Sequence, residues 1–357
     1  MRVAIVSLYT EQAHPSAATK RMRRVSEYIA SRGHEVSVFC AQWWEGDILS
    51  FTQADVRYVA VTQTQASYEF AVKLPPALSK YRPDVIHVAN NPPLQVLAAE
   101  TGGLFAQAPV IIDWWDVYAG KHPWIRQRAA RLATHHIVPS EMVEVNVRRL
   151  GIENNVVTRI PEPIYLDKIE RASVEDTAHI VFINQLDAHA NIDSFLLGLA
   201  GLRNKRWRAA VIGTGLQRAQ AMQTAQNLRI FDRTKFVDTL EPERFVPILK
   251  GARVFVQTAA REPFARYLLW ALSCGCVGVV EYQARSSAHE LAEKHDRGVP
   301  ITQSQQIASA IAGVAKREHK TIDRTFADYD VGSINEQFES LFQRLGATDR
   351  GDEDIHR

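Results

Sequence analysis

The stretch REPFARYLLWALSCGCVGVVE, residues 261–281, sets a carboxylate, a proline and a helical run directly after an extended apolar segment. Pro263 suits a first helical position, which would leave Glu262 at the helix N-terminus and the amides of Phe264, Ala265 and Arg266 unpaired. Unpaired amides and the helix dipole favour an anion such as a diphosphate, whereas a carboxylate beside them would take sugar hydroxyls. The plainer reading is that Glu262 caps its helix and pairs with Arg266 four positions on. Cys274 and Cys276 flank Gly275, but no second ligand pair at metal spacing accompanies them, and small-residue packing is the better reading. The acidic triplet at 352–354 lies in a charged terminal stretch and not at a rigid strand end, so no metal site is expected. His34 and His87 sit beside apolar strands and read as structural.

A ligand-binding glutamate of this kind belongs at the carboxyl edge of an open sheet. The chain offers two such sheets. Short β-branched runs AIVSL, EVSVFC, VRYVAV, DVIHVA and PVIID alternate with helical segments in the first half, and HIVFI, AAVIG, TKFVD, RVFVQT and VGVVE do so in the second. At 357 residues the chain also exceeds what one core ordinarily fills. The join is expected near residue 168, in RIPEPIYLDKIERASVEDT (159–177), where two prolines break the pattern. The expected organisation is therefore 1–168, 169–333, an amphipathic helix over 334–346 and a disordered tail over 347–357. Apolar residues at 46% and charged residues at 23% suit a packed globular protein. Forty-two Lys and Arg against forty Asp and Glu give +2, which supplies no general field for nucleic acid. Three cysteines argue against a disulfide framework and for a cytoplasmic setting. MRVAIVSLYT reads as a strand and not a signal peptide, and no run is apolar enough to span a membrane.

In order and spacing these pieces resemble the family 4 (group 1) glycosyltransferases, closest in character to archaeal enzymes of surface-glycan assembly. Glu262-Pro263-Phe264 matches that family's Glu-Pro-Phe-Gly signature. SRGHEVSVF (31–39) resembles the end of its first helix and its second strand, HIVPSEMV (136–143) its sixth strand, and VIGTG (211–215) its glycine turn. The resemblance implies a GT-B fold: two doubly wound Rossmann-like α/β domains facing across a cleft, with the C-terminal helix returning toward the first. It implies a nucleotide-diphosphate sugar as co-substrate, no metal or other cofactor, and retention of configuration. The acceptor would be a glycan, a glycolipid or a lipid-linked molecule. By position, Glu262 and Asp116 would be catalytic. Gln185, His189, Gly213, Gly215, Phe264, Ala265 and Arg266 would hold the donor, and Thr19, Lys20 and Trp115 the acceptor.

The match is incomplete where the donor's charge is held. NQLDAHA (184–190) puts Gln185 and Ala190 where the family carries arginine and lysine, and Trp270 stands where a glutamate usually holds the ribose. Arg266, His189 and Arg261 are the available replacements for the lost cations. In DWWDVY (113–118), Trp115 replaces a sugar-contacting histidine and could stack on a sugar, although paired tryptophans also suit simple packing. Lys20, Arg21, Arg23 and Arg24 read either as a solvated helix face or as a peripheral contact with an anionic membrane at its inner face. Two further readings stay open. One is a non-catalytic member that binds sugar or a partner. The weaker is a nicotinamide-dependent oxidoreductase, which lacks its glycine fingerprint after the first strand.

Overall fold

The computed structural model describes residues 1–115, 123–202, 205–314 and 316–351. Its internal contacts group Met1–Pro161 with Ile334–Arg357 as one unit and Glu162–Ser333 as a second. Lys168, at the expected join, lies inside a helix of the second unit.

The first unit is an eight-stranded sheet of β1 (Arg2–Val6), β2 (Glu35–Ala41), β3 (Ser50–Gln53), β4 (Val56–Thr62), β5 (Val85–Ala89), β6 (Val110–Asp113), β7 (His135–Val138) and β8 (Val157–Arg159). The strand order is β3-β4-β2-β1-β5-β6-β7-β8, parallel except for β3 against β4. Its helices are α1 (Ala17–Ser31), α2 (Ser67–Tyr81), α3 (Pro93–Ala106), α4 (Pro123–Leu132) and α5 (Glu141–Arg148). Successive β1 residues serve opposite faces, which is why the strand is apolar throughout. Val3 and Ile5 pack with Met22, Val25 and Ile29 of α1, and Ala4 and Val6 with Phe70, Leu74, Val96 and Val143 of α2, α3 and α5.

The second unit holds α6 (Leu166–Arg171), β9 (Ile180–Ile183), α7 (Ile192–Ala200), β10 (Ala209–Ile212), α8 (Arg218–Asn227), β11 (Thr234–Val237), α9 (Pro242–Gly251) and β12 (Val254–Gln257). It continues through β13 (Arg261–Glu262), α10 (Arg266–Ser273), β14 (Val277–Glu281), β15 (Arg285–Ser286), α11 (Ala288–Lys294), β16 (Gly298–Ile301) and α12 (Ile307–Val314). The main sheet runs β11-β10-β9-β12-β14-β16, all parallel, with β13 and β15 as a separate two-stranded ladder. A last helix, α13 (Val331–Gly351), carries Ile334, Phe338, Leu341 and Phe342 into the core behind β1. It runs to Gly351, past residue 346, after which the disordered tail is expected, and the rest of that expected tail, 352–357, lies outside the described residues. Among the described residues no helix is long and apolar enough to cross a membrane.

Candidate active site

In each sheet the connections reverse direction at one point, between β9 and β12 in the second unit and between β1 and β5 in the first. Such a switch point leaves a crevice outside the carboxyl ends of the strands. Glu262 belongs to the crevice of the second unit. It ends β13, whose ladder pairs Arg261 with Arg285 and Glu262 with Ser286, and the Ser287 amide donates to the Glu262 carbonyl at 2.9 Å. Asn184, directly after β9, donates from Nδ2 to Glu262 Oε2 at 3.4 Å. Burial pushes the Glu262 carboxyl up to about 7, against the pull of Arg266 and of hydrogen bonds from Asn184 and Gln257.

This corrects the expectation that Glu262 stands at a helix N-terminus. The helix begins only at Arg266, after Ala265 in the cap position with no side-chain bond. Glu262 lies four positions before that helix, and its carboxylate accepts from Asn184 and not from a helical amide. The Arg266 amide is not free for an anion either, since it donates to the Phe264 carbonyl at 2.8 Å. The Arg266 guanidinium turns to the Tyr267 hydroxyl at 2.8 Å and lies 4.6 Å from that ring, not in direct pairing with Glu262. Phe264 and Ala265 are buried beside it.

The glycine turn after β10 is built against the same loop. A Cβ on Gly213, at φ +157°, would lie 2.0 Å from the Asn184 carbonyl oxygen, and one on Gly215, at φ +146°, 2.3 Å from that of Leu186. The Leu186 amide donates to the Thr214 carbonyl at 2.7 Å, which locks the two loops together. Gln185 is exposed there, 3.5 Å from the Thr214 hydroxyl, and His189 is exposed with its amide bonded to Asp187 at 2.8 Å. Ala190 is buried in the core. Trp270 is 4% exposed, stacks on Tyr165 at 6.1 Å and meets Phe245 edge-on at 5.4 Å. It packs the core and offers no ribose contact.

In the first unit a recess of about 320 Å³ opens at the switch point, lined among others by Tyr9, His14, Thr19, Asn90 and Asn91. Gln95 of α3, fully buried, accepts from the Leu8 amide at 2.8 Å and donates to the carbonyls of Ala89 and Asn91 at 2.7 and 2.8 Å, stapling the loops after β1 and β5. Thr19 reaches this recess, but its hydroxyl is occupied: it shares a capping box with Ser16 and donates to the His14 carbonyl at 2.8 Å. Lys20 is exposed. Trp115 is half-buried, its ring 6.0 Å from the Arg21 guanidinium, and Asp116 lies outside the described residues.

The basic set on α1 is a solvated face only in part: Lys20 and Arg23 are exposed and Arg24 is half-buried, but Arg21 is not. Arg21 is 1% exposed and grips Asp113, itself buried at the end of β6, with Nε 2.8 Å from Oδ2. Its remaining nitrogens donate to the carbonyls of Pro161 and Ile160 at 3.2 and 2.9 Å. His87 Nε2 lies 3.2 Å from the same carboxylate, which Arg21 and His87 hold down to about 2 despite its burial. Arg23 pairs with Glu11 and Glu27, and Arg24 bonds Asn335. Trp114 is core, donating to His136 Nδ1 at 3.0 Å, and Trp43 and Trp44 pack with Phe51 and Tyr58. The three cysteines are buried and unpaired by disulfide, and burial pushes Cys276 up to about 12. Among the described residues no three His, Cys, Asp or Glu side chains gather as metal ligands.

The profile of the Glycosyl transferase 4-like domain matches residues 16–163, and that of Glycosyl transferases group 1 matches residues 166–325. The chain belongs to the group 1 glycosyltransferases. No curated protein matches it significantly. Sucrose-phosphate synthase from Thermosynechococcus elongatus superposes with TM-score 0.77 at 17% identity, covering 97% of this chain and 99% of that one. HepE from Anabaena, solved in complex with UDP, gives 0.77 at 17%, covering 97% and 100%. A glycosyltransferase from Rickettsia africae gives 0.75 at 10%, covering 96% and 98%. These likenesses place the transferase in the GT-B fold.

Within this group 1 glycosyltransferase, several polar groups at the switch points escaped the sequence reading. Asn184 and Gln257 hold Glu262, and no motif flags a single amide at a strand end. Glu281, at the end of β14, is buried with Asn191 Nδ2 3.5 Å away, and burial raises its carboxyl. His14 and Asn91 sit in loops whose meeting only the fold creates.

Proposed function

We propose that the protein transfers a sugar, of the hexose type, from a nucleotide-diphosphate donor to a hydroxyl of a glycan, glycolipid or lipid-linked acceptor. In this reading configuration is retained and neither a metal nor another cofactor is needed. The observation that carries it is Glu262, fixed by Asn184 and Gln257 at the switch point of the second sheet and backed by the tight glycine turn at 213–215. HepE of the same fold has been solved with UDP-glucose. Glu262 and Asp116 would be catalytic, Gln185, His189, Gly213, Gly215, Phe264, Ala265 and Arg266 would surround the donor, and Thr19, Lys20 and Trp115 the acceptor. With little covalent work for a side chain, such a reaction rests on positioning and on neutralising charge as the diphosphate departs.

Calorimetric titration with nucleoside diphosphates and their sugars, followed by mass spectrometry of transfer, tests this. Glu262→Ala should abolish transfer and leave the melting temperature nearly unchanged. A fully active Glu262→Ala protein would remove the central residue, and an intact fold that binds no nucleotide would sink the reading. A second reading, a sugar-binding member without turnover, draws on exposed Gln185 and buried Ala190 standing where the family has cations. Donor binding without transfer to any acceptor would support it.

A further inference from the structure

On α1, Arg21 is buried on Asp113, Arg23 is paired with Glu11 and Glu27, and Arg24 bonds Asn335, which leaves a denser run of arginines on another helix of the first unit. The helix α4, PWIRQRAARL, contains three arginines and no acid. Ala129 and Ala130 face the core, so the helical repeat puts Gln127, Arg131, Trp124, Arg128 and Leu132 together on the outer side. Trp124 is 64% exposed and Leu132 49%, although such residues are ordinarily covered. The patch extends onto α5. Arg131 Nε donates to the Leu150 carbonyl at 3.1 Å, which brings the last turn of α4 beside the end of α5, where Arg148 and Arg149 are exposed. The two α5 glutamates that might neutralise them, Glu141 and Glu144, are drawn to Arg159 at 3.5 and 2.7 Å. Among the described residues no carboxylate pairs with Arg128, Arg131, Arg148 or Arg149.

We propose that this face of α4, with the end of α5, docks the protein on an anionic phospholipid surface. The chemistry selects the partner. Arginines without counter-ions are attracted to a negative headgroup layer, and an exposed tryptophan with a leucine on the same stripe suits the polar-to-apolar boundary just below it. An acidic protein would satisfy the guanidinium groups alone and leave Trp124 and Leu132 without a reason for exposure. The proposal is independent of the transfer reaction, since none of these residues belongs to either switch-point crevice.

The test is flotation of the full-length protein with vesicles of phosphatidylcholine alone or mixed with phosphatidylglycerol, at low and at physiological salt. Binding should require phosphatidylglycerol and weaken with salt. Arg128→Glu combined with Arg148→Glu should lower partitioning roughly thirty-fold or more, two cations having been removed and reversed. Trp124→Ala should weaken it several-fold, and Lys20→Glu on α1 should leave it unchanged. All these side chains are exposed, so melting temperatures should stay at the wild-type value and a loss of binding is not a loss of fold. The proposal is overturned if the wild type does not float with phosphatidylglycerol, floats equally with phosphatidylcholine alone, or loses binding through Lys20→Glu while the double variant keeps it. Capture by polyglutamate without flotation would assign the face to an acidic protein and overturn it equally.

Discussion

Glu262 has a carboxyl that changes charge near neutrality, because burial outweighs Arg266 and two amide hydrogen bonds. Donor affinity and turnover should therefore show an inflection close to pH 7, and Glu262→Gln should flatten it, as measured by titration and rate against pH. Glu100 of α3 offers a companion case outside the site. Burial alone pushes its carboxyl up to about 8, and its Oε1 has no partner. An acid raised in the native state binds protons that the unfolded chain has released, so its effect is a loss of stability as pH climbs from the ordinary carboxylate range toward 8. Glu100→Gln should leave stability unchanged near pH 4 and raise it above wild type near pH 8.5, by about 2 kcal/mol in urea unfolding once partial solvation is allowed for. Glu262 stands out in the sequence because Glu-Pro-Phe resembles the family's signature. Glu100 does not, since a glutamate in an amphipathic helix reads as surface and only packing buries it.

Arg21 and Asp113 join α1 to the end of β6, and the guanidinium also lies 4.9 Å from the Phe338 ring of α13. Breaking a buried pair leaves one charge uncompensated, which costs about 3 to 5 kcal/mol. Asp113→Asn should lower stability by about that much in urea unfolding at neutral pH, while Arg23→Ala on the exposed side of α1 should cost under about 1 kcal/mol. Because the Asp113 carboxyl is held down to about 2, its contribution is present above the usual carboxylate range and fades as pH falls through 2. The α1 segment shows how far pattern reading goes. Met22, Val25 and Ile29 recur at the helical period and do face the core, yet Arg21 reads as surface, because the carboxylate that receives it lies ninety-two residues away. The same limit hid the edge strands β3 and β16. SFTQ is short and polar and GVPI contains a proline, so neither displays the apolar run that marked the central strands.

Each unit closes its own core, and the two differ in what chain they need for it. The alternation of strand and helix runs made the paired doubly wound sheets legible, since buried parallel strands are apolar throughout. Which unit the final helix serves depends on tertiary contacts that the sequence states only through its apolar spacing. A cluster of the second unit draws on Ile180 through Val314, with Phe182, Phe195 and Leu196 at its centre, all inside the segment Glu162–Ser333. The first unit instead takes Ile334, Phe338, Leu341 and Phe342 from the far end of the chain, packed on Val3, Ile5 and Met22. Removing one large buried side chain costs about 2 to 5 kcal/mol, so losing four costs about 8 to 20 kcal/mol, as much as or more than the roughly 5 to 15 kcal/mol by which a domain is ordinarily stable. A fragment of residues 162–333 should therefore melt cooperatively on its own, and one of residues 1–161 should show no cooperative transition by circular dichroism. Supplying residues 334–351 through a linker to the second fragment should restore its transition, and Phe338→Asp in that segment should abolish the rescue. A cooperative transition in residues 1–161 alone would show that the helix covers a core already complete without it.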